Sequence, residues 1–186
     1  KTIKMMYPVA DGVKGLEKAL DNICREAEKA VDNKKNYIIL SDRDIDKDNV
    51  GIPSLLVVSA VHHYLIRAKK RMQTGLIVET GEARDVNHFA LLLAFGASVI
   101  NPYVAFAVIC DQCETGRIKM DYPKARENYI KAIGKGLLKI MSKMGISTLR
   151  SYHGAQMFEA VGVSREVIDK YFTTTMSRIG GVGLEE

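Results

Sequence analysis

Two hydrophobic periods alternate along the chain, and they predict the order of its helices and strands. Apolar residues three or four positions apart predict helices over roughly residues 13–32, 53–69, 86–95 and 124–144. The helix over residues 86–95 is apolar on its other face as well, so we expect it to be covered on most sides. Short unbroken apolar runs predict strands that are buried on both faces at residues 37–40, 76–78 and 98–100. We also expect a fourth strand at residues 147–149, and two short helices near residues 154–161 and 164–172.

Alternation of short strands with helices favours an α/β domain built on a parallel sheet with right-handed βα units. A closed barrel needs about eight such units and ~250 residues. Because the chain has 186 residues and few predicted strands, we expect an incomplete, barrel-like sheet flanked by helices. In the helix over residues 124–144, Gly134 and Gly136 each cost up to ~1 kcal/mol of helix stability. We expect them to allow close packing by a neighbouring element.

Polar and charged residues collect where the predicted strands end. They are Ser41, Asp42 and Arg43 after the first strand, Glu79, Thr80, Gly81, Glu82 and Arg84 after the second, Asn101 after the third, and Arg150 to His153 after the fourth. In a parallel sheet these groups share the carboxyl edge, where α/β proteins build ligand sites. Strand-to-helix turns also need polar caps and ion pairs. The residues alone therefore leave both a ligand site and an architectural edge open.

Three other patterns resemble known sites but lack a required part. The acidic run Asp42–Asp48 has Lys47 where an EF-hand needs glycine, and Pro53 where it needs a bidentate glutamate. The lone CxxC pair Cys110–Cys113 lacks the further ligands that tetrahedral zinc requires. The neighbours His62–His63 diverge by about 100° on a helix and cannot easily share a metal. We therefore assign no catalytic, cofactor-binding or metal-binding residue.

Composition and charge exclude little beyond a membrane protein. Hydrophobic residues make up 47% and charged residues 26% of the chain, whose net charge is +5. No apolar run approaches the ~20 residues of a membrane span, and an odd count of three cysteines favours a reducing, cytoplasmic setting. Lysines recur every fourth residue on one helix face, the lysine ridge, which consists of Lys131, Lys135, Lys139 and Lys143. This ridge could meet phosphates, but without interleaved aromatic residues we expect no nucleic-acid partner.

Eleven segments carry the most specific pattern in the sequence. They are Ile39–Arg43, Ile52–Leu56, Ala60–His63, Val78–Arg84, His88–Leu92, Gly96–Ala97, Asn101–Tyr103, Asn128–Ala132, Gly136–Thr148, Ser151–Tyr152 and Gly154–Ala160. In this order they closely resemble the central domain of the large chain of glutamate synthase. The resemblance covers essentially all 186 residues.

The resemblance implies a parent enzyme that couples glutamine hydrolysis to reductive amination of 2-oxoglutarate, giving two glutamates. The partners implied are two domains of the same chain, an amidotransferase with a cysteine nucleophile and a flavin barrel with FMN and an iron–sulfur cluster. The central domain is similar to an incomplete relative of that barrel, carries neither cofactor, joins the two domains and helps to wall an ammonia channel. On this view the polar edge docks neighbouring domains, with Glu82 and Arg84 acting as a charged pair.

Departures from the family pattern lead us to expect an excised piece of the parent. The resemblance begins partway into the central domain, Lys1 stands in place of a nucleophile, and Cys110–Cys113 match no cluster ligand. We assign residues 1–178 to a partial central domain and residues 179–186 to the start of a linker towards the flavin domain. The electron donor stays open. The alternatives are an independent phosphate- or flavin-binding α/β enzyme, and an anion- or nucleic-acid-binding module on the lysine ridge.

Overall fold

A computed structural model describes residues 1–185 and shows eight strands and seven α-helices within them. In chain order they are β1 (Thr2–Lys4), β2 (Met6–Pro8), α1 (Gly12–Asp32), β3 (Tyr37–Ser41), β4 (Asn49–Gly51), α2 (Ser54–Arg67), β5 (Gly75–Glu79), α3 (Val86–Ala94), β6 (Val99–Asn101), α4 (Tyr103–Glu114), α5 (Tyr122–Lys143), α6 (Leu149–Tyr152), β7 (Glu159–Val163), α7 (Arg165–Tyr171) and β8 (Met176–Val182). Short 3-10 helices precede α1 and β5, at Val9–Asp11 and Arg71–Gln73.

The centre of the molecule is a four-stranded sheet in which every pairing is parallel. The strands lie in the order β1-β3-β5-β6, which is also their order along the chain. Right-handed crossovers between successive neighbours place the connecting helices on one face, and accordingly α1 contacts α2 and α2 contacts α3. The expected α/β class is confirmed, and the four strands form an open sheet rather than a closed barrel. Two smaller sheets pair β2 with β4 and β7 with β8.

The hydrophobic core lies between this sheet and its helices. Alternate strand residues such as Ile38, Leu40, Leu76 and Val78 are fully buried. They meet the apolar stripes of the first three helices, which supply Ile23, Ala27, Val57, Val61 and Phe89 to the same cluster. The 3.6-residue period of each stripe and the two-residue period of each strand therefore point at one shared interface.

The opposite face of the sheet is only partly covered. In-register residues of parallel strands project to the same side, so Ile39, Ile77 and Val99 form one apolar row with Tyr37 at its amino end. Tyr37 is 62% and Val99 53% exposed, while Ile39 and Ile77 are half-buried. We call these four residues the open face. In a closed barrel the same positions would point into the packed interior.

Two predicted elements are wrong. Residues 147–149 form no strand, because the Thr148 side chain accepts a hydrogen bond from the Ser151 N–H and starts α6. The fourth strand is instead β1, whose single buried residue, Ile3, lies between exposed neighbours. Residues 154–161 form no helix, since Gly154 and Gln156 have φ of 71° and 54°, which belong to left-handed backbone. Their end contributes to β7, whereas the helix predicted near residues 164–172 is present as α7.

One further region differs from what the sequence predicts. Residues Ile179 to Val182, which we assigned to a linker, form the second half of β8 and pair with β7. Among the helices described, none is long and apolar enough to cross a membrane.

The two interior glycines of α5 occupy different surroundings. A Cβ on Gly136 would come within 2.5 Å of the Val86 side chain on α3, whereas one on Gly134 would meet nothing within 4 Å. Only Gly136 therefore serves the close packing that we expected of both.

We predict opposite effects of alanine at these glycines. Gly134→Ala should raise the free energy of unfolding by about 0.5–1 kcal/mol, because alanine is the better helix former. Gly136→Ala should lower it by about 1 kcal/mol or more, since the stiff β-branched Val86 must move. Urea unfolding of the two matched variants measures both values. Equal stabilisation by both substitutions would show that α3 and α5 do not meet at Gly136.

Candidate functional site

The carboxyl edge of the sheet is organised around the Glu79 carboxylate. Strand register places Ser41, Glu79 and Asn101 side by side. The Ser41 hydroxyl donates to Glu79 Oε2 at 2.6 Å, while Arg43 Nη2 and Asn101 Nδ2 donate to Oε1 at 2.9 and 3.2 Å. The hydrogen bonds from Arg43 and then Ser41 lower the pKa of Glu79, and the carboxylate in turn raises the pKa of Arg43. The Arg43 guanidinium also lies over the Tyr103 ring, 4.1 Å from its centroid.

Asp42 organises the turn that follows β5. Its buried carboxylate accepts hydrogen bonds from the Thr80 hydroxyl and from the Gly81 N–H, the latter at 3.0 Å. The Thr80 hydroxyl oxygen accepts in turn from the Glu82 N–H at 3.1 Å. Asp42 also raises the pKa of Tyr103, although burial of the phenol is the larger cause. Buried polar groups need such partners, so this network fixes the turn.

Glu82 joins the edge to the start of α2. Its Oε2 accepts from the Ser54 N–H at 2.7 Å and from the Ser54 hydroxyl at 2.6 Å. The residue before α2 is Pro53, which has no side-chain acceptor, so Glu82 supplies the acceptor and negative charge that a helix N-terminus favours.

Arg84 lies outside this network. Its carbonyl accepts from the Tyr129 hydroxyl at 2.9 Å, and none of the ion pairs among the described residues includes Arg84. The expected charged pair of Glu82 and Arg84 is therefore wrong, because Glu82 is committed to α2. The start of α3 is stabilised separately by a capping box, in which Asp85 accepts from the N–H groups of Asn87 and His88. Sequence reasoning missed this box because histidine occupies the position where glutamate or glutamine is usual.

The group Arg150 to His153 does not belong to this edge. It lies in and after α6, and Arg150 and His153 line a cavity shared with Thr74 and Ser98. Those two residues directly precede β5 and β6, so the cavity is at the amino edge of the sheet. The sequence assignment failed because it rested on a strand that the chain does not form.

The turn at Gly81 does not form a phosphate cradle. The Gly81 N–H is used by Asp42, and a Cβ at Gly81 would come within 2.9 Å of Val104 Cγ2, so the space beside this glycine is already filled by a side chain. Among residues 1–185, no three His, Cys, Asp or Glu side chains are grouped to hold a metal ion. A hydrogen bond to Glu114 raises the pKa of Cys110, which disfavours the thiolate needed for ligation.

The lysine ridge is solvent-exposed along α5. Lys131 within it pairs with Glu127 at 2.6 Å. Part of its charge is thereby neutralised within the helix.

Comparison with known proteins identifies the family. Residues 1–164 match the family model described as the glutamate synthase central domain. The chain belongs to this family. It is 48% identical over 170 residues to the glutamate synthase [NADPH] large chain of Bacillus subtilis, covering 91% of this chain and 11% of that protein. It is 41% identical over 191 residues to the glutamate synthase [NADH] of Saccharomyces cerevisiae, covering 98% and 9%.

A third relative has a different electron donor in its name. The ferredoxin-dependent glutamate synthase 2 of a Synechocystis species is 42% identical over 190 residues, covering 95% of this chain and 12% of that protein. The chain thus spans about a tenth of the length of the relatives it matches. These relatives are named for NADPH, NADH and ferredoxin, so similarity over this segment does not discriminate between donors.

We predict a pH-dependent loss of stability for Glu79→Gln. Because the folded state lowers the pKa of Glu79, its contribution is complete above the pKa of the unfolded chain, about 4.3, and is lost as the pH falls towards the folded value. The variant should lose about 1 kcal/mol of unfolding free energy at neutral pH, since the partner Arg43 is half-exposed. The difference should shrink below about pH 4.

Urea unfolding at neutral and acidic pH measures this effect. Glu127→Gln is the control, because that carboxylate pairs only with exposed lysines and should contribute less than about 0.5 kcal/mol. A difference for Glu79→Gln that is independent of pH, or no larger than the control, would contradict the role given to this carboxylate.

Proposed function

We propose that this chain is a structural module of a glutamate synthase, joining the amidotransferase and FMN-binding domains of the parent and helping to wall an ammonia channel. The parent reaction converts glutamine, 2-oxoglutarate and reductant into two glutamates in the cytoplasm. The segment itself supplies no catalytic group, and the FMN and iron–sulfur cluster belong to another domain of the parent. Residues 1–178 remain assigned to the central domain and residues 179–186 to the start of the linker towards the flavin domain, although β8 extends across this boundary to Val182.

The open face of the sheet is the observation that carries this proposal. Tyr37, Ile39, Ile77 and Val99 lie together on one side, and two of them are more than half exposed. Burial of apolar surface stabilises a protein by roughly 25 cal/mol per Å², and this stabilisation is missing while the open face is in water. A contiguous exposed apolar surface of this kind marks an interaction site. The relatives are about ten times longer than this chain, so the rest of such a protein is long enough to cover the open face.

Helix α4 gives independent support. Its sequence from Tyr103 to Cys110 is apolar, yet none of its residues is buried, and Val108 is 53% exposed. A helix that is apolar around its circumference is normally covered on most sides. It follows β6 along the chain and packs against α5, so it is a second partly uncovered apolar surface beside the sheet's carboxyl end.

The carboxyl edge forms the polar border of this surface. Lys4, Ser41, Glu79 and Asn101 occupy one register row across all four strands, next to the apolar row of the open face. Stable interfaces commonly combine an apolar centre with a polar rim. Because Glu79 and Asp42 already have their hydrogen-bond partners, another domain can pack beside them without leaving a carboxylate unpaired.

Charge inserted on the open face or on the exposed side of α4 should uncouple the two half-reactions of the full-length parent. Val99→Asp and Val108→Asp replace exposed residues, so the isolated chain should lose no more than about 1 kcal/mol of stability. In the parent, glutamine hydrolysis and 2-oxoglutarate-dependent oxidation of reduced flavin should each stay measurable, since a perturbed interface does not remove a catalytic group. Ammonia should escape to solution, which a coupled ammonia assay measures per glutamine hydrolysed.

Leu138→Asp is the matched control, since Leu138 is 66% exposed on α5, away from the open face. Equal ammonia release in this control and in Val99→Asp would contradict the proposal. So would full coupling in both Val99→Asp and Val108→Asp, or loss of one half-reaction by several orders of magnitude in a folded protein.

A further inference from the structure

A cavity at the amino edge of the sheet is lined by basic groups. Its volume is about 570 Å³, and its walls include His62, Lys69, Arg71, Arg150 and His153 but no acidic residue. Among residues 1–185, none of the ion pairs includes Lys69, Arg71 or Arg150. Nothing in the interdomain role uses this cavity, which is at the opposite end of the strands from Glu79.

Arg71 is held rigidly at the base of this cavity. Its Nη1 donates to the Thr74 carbonyl at 2.8 Å, its Nη2 to the Gly96 carbonyl at 2.7 Å, and its Nε to His62 Nδ1 at 2.9 Å. A guanidinium has five N–H groups, so each terminal nitrogen keeps one for another acceptor. Burial lowers the pKa of Arg71, as expected for a cation withdrawn from water without a counter-charge.

The approach of His62 to Arg71 depends on Gly96. A Cβ at Gly96 would come within 2.6 Å of His62 Cγ, and Gly96 has φ of 113°, a conformation that favours glycine. Glycine therefore lets the turn after α3 present its carbonyl to Arg71 while the imidazole packs against it. Burial, followed by the charge of Arg71, lowers the pKa of His62 to about 3. A neutral His62 that accepts at Nδ1 carries its proton on Nε2.

His153 leaves a polar atom unpaired beside the same cations. Its Nε2 is buried and has no hydrogen-bond partner among the described residues. Burial, followed by Arg71, lowers the pKa of His153. The Ser98 hydroxyl at the rim accepts from the Leu76 N–H at 3.4 Å and retains its own proton to donate. The cavity thus offers donors and positive charge, with no carboxylate to repel an anion.

We propose that this cavity is a binding site for a small multivalent oxyanion, of the chemistry of phosphate. Arg71 supplies two fixed N–H donors, while Lys69 and Arg150 supply exposed cations in the cavity wall. Charge-assisted hydrogen bonds of this kind are stronger than hydrogen bonds between neutral groups. A bound anion also provides the counter-charge that Arg71 lacks and an acceptor for the imidazoles, whose pKa it must raise.

Calorimetric titration of this chain with inorganic phosphate, at ionic strength held constant with chloride, tests the site. We expect saturable binding and a rise in melting temperature. Arg150→Gln should weaken phosphate binding about tenfold or more. It should leave the stability of the ligand-free chain unchanged, because the Arg150 side chain is exposed. Arg178→Gln removes an exposed arginine on β8 that pairs with Glu159 at 3.5 Å and does not line the cavity, so it should bind phosphate as the unaltered chain does.

An NMR titration of His153 supplies a second readout. Phosphate should raise its pKa in the unaltered chain and in Arg178→Gln, but much less in Arg150→Gln. Equal weakening in both arginine variants, no saturable binding at constant ionic strength, or an unchanged His153 pKa would overturn the proposal. Binding by this chain but not by its full-length parent would also overturn it, because the cavity would then be covered in the parent and could not serve as a site there.

Discussion

In-register parallel pairing of β3, β5 and β6 is the constraint on which the other features depend. It places Ser41, Glu79 and Asn101 in one row, so that a single carboxylate can tie three strand ends together. The same register aligns Ile39 and Ile77 one pleat below. A slip of one residue would reverse the two faces of a strand, exposing Leu40 or Val78 and burying Glu79 among the helices.

The two faces of the sheet differ because the connections are all of one hand. Sequential strand order with right-handed crossovers places α1, α2 and α3 together on one side, where Ile38 and Leu76 are fully buried. The other side receives no crossover helix and keeps its apolar row partly in water. A barrel of the same units would close around that row. A four-stranded sheet cannot close in this way. In our proposal, further domains of the parent bury the apolar row instead.

Strong periodic patterns predicted most of the fold, and local backbone chemistry accounts for the failures. The helices over α1, α2, α3 and α5 follow from apolar stripes, and β3 and β5 from unbroken apolar runs. Strand β1 gave no such signal, because an edge strand needs only one buried residue, Ile3. At Thr148 a side-chain cap outcompeted strand propensity, and this one error moved Arg150 and His153 to the wrong edge.

The candidate site was predictable in composition but not in connectivity. Strand ends located Ser41, Asp42, Arg43, Glu79 and Asn101 correctly at one edge. The partner of Glu82 was not predictable, since Ser54 is 28 residues away and the link depends on how α2 meets the turn. Likewise, nothing local in the sequence brings His62, Arg71 and His153 together, because they come from three separate segments. Such sites become visible only after the elements are packed.

Oxidative footprinting of the open face tests the central claim most directly. Tyr37 and Val99 should react with hydroxyl radicals in this chain and become several-fold protected in the full-length parent, whereas Met72, 84% exposed and at the amino edge, should react similarly in both. Equal reactivity of Tyr37 and Val99 in the two proteins would contradict the claim that this sheet face is an interdomain surface.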